Sequence, residues 1–248
     1  MSKGKFKAGV HPYEGKEFAA SKEIKRLKGE EIMIFPMSQH IGAPATPCVK
    51  VTDRVLKGMK IGEASGFVSS PVYSSVSGTV MRIEDRTMLN GKTSKCVVIK
   101  NDFEDECVEG FGISREVNAL SNDEIIKIIS DSGIVGMGGA GFPTYAKLDE
   151  RAETIILNCA ECEPLLRLHR QLLEKYAKEI IDTFHMIGET VGAKEVIIGI
   201  KKAYTATIEA VKAVMGQYPE VRLGLLDEVY PAGDEVVLIY ETTGKVVR

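Results

Sequence analysis

Tryptophan is absent from this chain, and aromatic residues make up only 6% of it. That scarcity argues against a stacking platform for single-stranded nucleic acid. No basic tract rises out of the sequence, and the formal net charge is -3, which argues against a general nucleic-acid binder. No apolar run reaches the length of a membrane span. The opening "MSKGKFKAGVHPYEG" lacks an apolar signal-peptide core. These absences lead to the expectation of a cytoplasmic chain, with a peripheral place on the cytoplasmic face of a membrane left open. The five cysteines, Cys48, Cys96, Cys107, Cys159 and Cys162, are odd in number and scattered over 248 residues. A disulfide framework is therefore not expected.

What the chain does contain suffices for a substantial core. With 44% hydrophobic and 27% charged residues, it has the profile of a globular protein of one large domain or two ordinary ones. Residues 30 to 100 are short apolar runs such as "EEIMIFP", "PCVKVTD", "GTVMRIED" and "GKTSKCVVIK", broken by Gly, Pro and Ser. That rhythm predicts a small all-β domain. It resembles the barrel-sandwich domain of biotinyl and lipoyl carriers. Those carriers present a modified lysine at a hairpin tip, usually beside methionine. Here the corresponding tip, "GEASGFVSS", has no lysine, and Met59 and Lys60 lie in the strand before it. The resemblance thus implies the fold and argues against the carrier function.

After about residue 112 strands and helices alternate. "SNDEIIKIISDSG" carries a capping box, Ser121 with Glu124, ahead of Ile125, Ile128 and Ile129 at helical spacing. "TIILNC", "EVIIGI" and "VRLGLL" read as strands, separated by helical patterns over roughly 165 to 191 and in "AYTATIEAVKAVMGQ". Such alternation predicts a parallel sheet, whose ligands sit at the carboxyl ends of the strands. The expected organisation is a barrel-sandwich β domain over 1–110 and an α/β domain over 111–248.

Three clusters in the second region carry chemistry. "GIVGMGGAGFPTYAKLDE" places Gly133, Gly136, Gly138, Gly139 and Gly141 close together. Glycines permit close backbone approach and positive φ, and their free amides can form a concave anion site. No Gly-Lys-Ser/Thr follows, so this is not a Walker loop. The dinucleotide spacing is present, but it follows a helical run instead of a strand. A purely structural turn is the competing interpretation. "LNCAECEP" follows a strand and sets Asn158, Glu161 and Glu163 beside the pair Cys159 and Cys162. The acidic charge between the two cysteines would oppose a stable thiolate, and no second ligand pair for zinc lies nearby, so neither dithiol nor zinc chemistry is expected. "YPAGDEVVLIYETTG" reads as a helix start with Asp234 and Glu235 at its amino end.

Taken together these clusters resemble the three flavin loops of the NADH-binding flavoprotein subunit of respiratory complex I. "GVHPYEGKE", "PMSQHIGAPATPCVKVTDRVLKGMKIGEASGFVSSPVYSSVSGTV" and "GIVGMGGAGFPTYAKL" look like the C subunit of the Rnf ferredoxin:NAD oxidoreductase, or a soluble Rnf-C-like protein of the proline-reductase-associated type. The resemblance implies a non-covalently bound FMN, a nicotinamide site beside it, and electron transfer between NADH and iron–sulfur or other redox partners. By motif position, Gly136, Gly138, Gly139, Gly141, Lys147, Asn158, Glu161, Tyr230, Gly233 and Asp234 would contact FMN, and Phe142, Glu163 and Glu235 would contact NADH. No residue is expected to act as a protein acid, base or nucleophile, because the cofactor carries the chemistry. Partners would be other subunits of an electron-transfer complex or a soluble reductase.

The pattern departs from the family in places. Met137 stands where complex I proteins often carry Arg, and Ala160 replaces an Asp. Family members also continue well past this length, with further flavin contacts and two cysteine-rich [4Fe-4S] motifs of a type not found here. The α/β domain is therefore expected to be incomplete at its carboxyl end, and the activity of the isolated chain to depend on residues beyond Arg248. The rival expectation is a non-catalytic docking or assembly module that does not bind flavin tightly.

Overall fold

The computed structural model describes residues 8–114, 117, 119–137, 141–148 and 151–247. Two compact units are present: residues 26–148 form one, and residues 151–247 together with 8–25 form the other.

In the first unit, strands β1 (Ile32–Pro36), β2 (Thr46–Pro47), β3 (Arg54–Val55), β4 (Lys60–Glu63), β5 (Val72–Tyr73), β6 (Gly78–Thr87) and β7 (Thr93–Asn101) build two antiparallel sheets. Their orders are β1-β7-β6-β3 and β2-β4-β5. The long β6 and β7 run side by side, with Ile83 opposite Val97, and Ile34 of β1 lies opposite Val98. Between the sheets, Phe35, Met37, Val55, Ile61, Val80, Val97 and Ile99 form a dry core. This is the barrel-sandwich arrangement expected from the short-run rhythm. The β4–β5 hairpin holds the tip that lacks a lysine, and Lys60 pairs instead with Glu63 at 3.1 Å.

Helix α1 (Asn122–Asp131) begins at the capping box: Ser121 N donates to Glu124 Oε2 at 2.8 Å, and Glu124 N to Ser121 Oγ at 3.4 Å. It buries Ile125 and Ile129, as the apolar spacing predicts. The chain then folds back onto the β sheets through the short helix α2 (Tyr145–Leu148). Tyr73 OH bonds Asp131 O, Tyr145 OH bonds Ser69 O at 3.2 Å, and Ile41 N bonds Gly141 O at 3.2 Å. Hence α1, the glycine loop and α2 pack with the β unit, although their rhythm resembles that of the residues after them.

The second unit is built from β8 (Thr154–Cys159), α3 (Leu168–Val191), β9 (Glu195–Lys201), α4 (Thr205–Met215), β10 (Val221–Leu226) and α5 (Glu235–Thr243). Its three strands are parallel in the order β10-β9-β8. The central strand β9 is buried at every residue from Val196 to Lys201, which explains its unbroken apolar run. Ile181, Leu173 and Val211 cover the sheet from the helices. Because β8 and β10 flank β9 in parallel, the loops that follow them emerge at the same end of the sheet. Residues 8–25 belong to this unit as well, and Val10 pairs antiparallel with Tyr230.

Candidate functional site

The glycine loop is closed at its base in the β unit. Val135 bridges Pro143, Gly136 N donates to Phe142 O at 2.9 Å, and Thr144 N to Ile134 O at 3.0 Å. Two of its glycines differ in what requires them. Gly141 has φ +68°, and a Cβ there would lie 3.0 Å from both Gln39 O and His40 Cα. The backbone conformation and the packing both demand glycine at that point. Among the described residues Gly136 has no such constraint: a Cβ would meet only Phe142 backbone atoms, at 3.7 and 3.8 Å. Nothing among the described residues accounts for its missing side chain. Gly138 and Gly139 lie outside the described residues. Lys147 on α2 is exposed, with Nζ 5.4 Å from the centre of the half-buried Phe142 ring.

In the α/β unit, the loops after β8 and β10 meet on one glycine. Asn158 Nδ2 donates to Gly233 O at 2.8 Å, while its Oδ1 accepts from Ala160 N at 3.2 Å. Gly233 N in turn donates to Cys162 Sγ at 3.0 Å. A Cβ on Gly233 would stand 3.1 Å from Ala160 Cβ and from Cys162 Sγ. The absence of a side chain is what lets the two loops approach. Asp234 caps α5, accepting from Val236 N at 3.1 Å and Val237 N at 3.3 Å. Glu235 follows in the first turn, and Tyr230 is 44% exposed.

Glu161 faces inward. Its Oε1 accepts from His169 N at 2.9 Å, and its Oε2 pairs with Arg170 Nε at 2.8 Å. Both oxygens are thus engaged at the start of α3, and the side chain is 1% exposed. The Arg170 guanidinium also stacks 4.0 Å above the Tyr204 ring, whose hydroxyl donates to Ala160 O at 3.3 Å. Glu163, by contrast, is exposed. The loop is conformationally unusual, with Glu161 at φ +49° and Leu165 at φ +65°. Non-glycine residues there cost roughly 1–2 kcal/mol each, so surrounding contacts must hold them.

Cys159 and Cys162 are both free thiols. Burial, helped by the Glu161 charge, pushes the Cys159 thiol up to about 12, and Cys162 serves as a hydrogen-bond acceptor. Among the described residues no group of His, Cys, Asp and Glu could hold a metal ion, and no helix is long and apolar enough to cross a membrane.

Sequence reasoning assigned no role to Lys16, Arg170 or the Cys162 thiol as parts of this framework. Lys16 lies within "GVHPYEGKE", but its partners stand 145 to 150 residues further on, so no local pattern signals them.

Residues 4–104 match the RnfC barrel sandwich hybrid domain, and residues 129–248 match the Nuo51 FMN-binding domain. The chain is 38% identical to the C subunit of the Na(+)-translocating ferredoxin:NAD(+) oxidoreductase complex of Acetobacterium woodii, over 98% of this chain and 56% of that protein. It is 37% identical to the C subunit of the proton-translocating ferredoxin:NAD(+) oxidoreductase complex of Clostridium ljungdahlii, over 98% of this chain and 54% of that protein. With the C subunit of the ion-translocating oxidoreductase complex of Klebsiella pneumoniae it shares 33% identity, over 98% of this chain and 32% of that protein. The chain thus spans at most about half the length of these relatives. Residues 4–104 are thus similar to an RnfC barrel sandwich hybrid domain and residues 129–248 to a Nuo51 FMN-binding domain, and the chain is similar to part of the C subunits of these oxidoreductase complexes.

Proposed function

We propose that this chain binds FMN and acts as an NADH-linked electron-transfer flavoprotein, serving iron–sulfur or other redox partners. The observation that carries this reading is the meeting of two motif loops on Gly233, at the carboxyl end of a parallel sheet, inside the residues that match the FMN-binding domain. Open α/β sheets bind ligands at that end. Gly136, exposed in the β unit and unexplained by packing among the described residues, adds support: the lack of a side chain leaves room for a flat ligand against its Cα.

On this reading Gly136, Gly138, Gly139 and Gly141 present main chain to the cofactor, and Lys147 offers a cation. Asn158 and Gly233 set the meeting of the two α/β loops. Asp234 fixes the start of α5, and Tyr230 supplies an exposed ring. Glu161 acts through the loop it shapes, since both its oxygens are engaged. Phe142, Glu163 and Glu235 are proposed to meet the nicotinamide nucleotide. Bound FMN would supply hydride exchange with the nicotinamide and release of electrons one at a time. The residues themselves bind, orient and exclude water.

We further propose that the sequence divides functionally at 1–110 and 111–248. The partners would be other subunits of an Rnf-type complex or a soluble reductase of the proline-reductase type, at the cytoplasmic face of a membrane or free in the cytoplasm. [4Fe-4S] clusters would belong to those partners or to further residues such as the longer relatives have. The test is titration of the purified chain with FMN, followed by flavin absorbance and fluorescence. Saturable binding at micromolar or lower concentration is expected. A well-folded protein that takes up no flavin would overturn this reading in favour of a docking and assembly module.

A further inference from the structure

The amino-terminal stretch ties both α/β loops to the body of their unit. Val10 and Tyr230 exchange backbone hydrogen bonds of 3.0 and 2.9 Å next to the loop after β10. His11 Nδ1 donates to Glu228 O at 2.9 Å. Glu14 O accepts from Leu165 N at 2.8 Å, and the Glu14 carboxylate pairs with the buried Lys201 at 2.8 Å. Lys16 then reaches the loop after β8: its Nζ donates to Glu161 O at 2.7 Å, Glu163 O at 2.8 Å and Leu166 O at 2.9 Å.

An ammonium has three donors and no acceptor. All three Lys16 donors are used, on three carbonyls of a single loop, and the residue is 8% exposed. The carbonyls bracket the two left-handed residues, Glu161 and Leu165. Without the cation, three carbonyl oxygens would converge on one another with no donor between them, and buried acceptors left unpaired are costly. The loop would relax out of its left-handed turns. Glu163, whose carbonyl Lys16 holds, would move with it.

We infer that Lys16 is a positioning residue of the cofactor site, fixing residues 161–166 in the shape that receives the flavin and nicotinamide. This rests on the FMN reading proposed above. Lys16 need not touch either ligand, because it acts through the main chain of the loop.

The experiment measures FMN affinity and amide hydrogen exchange in the wild type, Lys16→Arg, Lys16→Met and Lys16→Ala. The planar guanidinium of Lys16→Arg keeps the charge but cannot converge three donors on three carbonyls. Lys16→Met keeps the stem and loses the cation. Both are expected to bind FMN about tenfold more weakly or worse, with faster exchange confined to 161–166. In Lys16→Ala, propylammonium should restore FMN affinity and propanol should not. Wild-type affinity in Lys16→Arg or Lys16→Met overturns the inference, as does equal rescue by the alcohol. Should Lys16→Met and Lys16→Ala fail to fold, Lys16→Arg decides alone. Should the wild type bind no FMN, the functional reading falls, and loop exchange decides the positioning claim: unchanged exchange at 161–166 in Lys16→Arg overturns it, and accelerated exchange there supports it.

Discussion

Asn158 Nδ2 donates to the Gly233 carbonyl at 2.8 Å, joining residues 75 apart in sequence. The bond is a hinge pin between the loops after β8 and β10, since Cys162 Sγ accepts the Gly233 amide from the other side. Gly233→Ala should therefore disturb function more than folding. Its new methyl would press at 3.1 Å on Ala160 Cβ and Cys162 Sγ, and the loops would part by a few tenths of an ångström. FMN affinity is expected to fall about tenfold, while thermal unfolding stays cooperative. Unchanged affinity by flavin fluorescence would separate Gly233 from the binding site.

The two described glycines of the first loop should respond in opposite ways. Gly141→Ala should lower stability by about 1–2 kcal/mol, because alanine is strained at positive φ and its Cβ would crowd Gln39 O. Gly136→Ala should change stability by less than about 0.5 kcal/mol, since among the described residues the methyl would meet only Phe142 backbone atoms, at ordinary contact distances of 3.7 and 3.8 Å. Yet Gly136→Ala should weaken FMN binding if the main chain there faces the cofactor. Denaturant melts and flavin titrations on both variants check the pair. A stable Gly136→Ala that binds FMN normally would remove position 136 from the site.

Much of this was legible in the sequence, for identifiable reasons. The run "EVIIGI" became β9 because a central strand buried on both faces must be apolar throughout, and "TIILNC" became the half-buried edge strand β8 beside it. The Ser121–Glu124 pair announced α1, since capping is local chemistry. Two things were not legible. The rhythm of α1 and the glycine loop gave their secondary structure but not their neighbours. They pack with the β sheets through Tyr73, Tyr145 and Ile41, far away in sequence. The direction of the Glu161 carboxylate was equally hidden, because it follows from a left-handed φ and from Arg170 on the next helix.

Glu161 and Glu163 are two residues apart and should behave as different kinds of residue. Glu161→Ala leaves the largely buried Arg170 without its carboxylate, and it orphans His169 N. Breaking one partner of a buried pair costs about 3 kcal/mol or more. FMN binding in that variant should fail together with stability. The exposed Glu163→Gln should melt like the wild type and weaken nicotinamide use more than flavin retention. Equal melting of the two variants would contradict the inward placement of Glu161.

Cys159 gives a prediction in pH. Its folded thiol titrates near about 12 instead of the ordinary 9.0, mainly because burial disfavours the thiolate. In the unfolded chain the same thiol ionises at its ordinary value. The buried, neutral thiol therefore favours the folded state fully below about pH 9, and this contribution is lost as pH rises from there towards 12. Cys159→Ala removes the group, so its stability should fall less steeply with pH across that window than the wild type does. Iodoacetamide provides a second reading, because only thiolate reacts. In the native protein the exposed Cys107 should label at about pH 8, while Cys159 and Cys96, both buried, should not. In denaturant all five cysteines should label. Rapid native labelling of Cys159 would mean that the end of β8 is open to solvent, and that the strand does not anchor the loop carrying Glu161 and Glu163 as described.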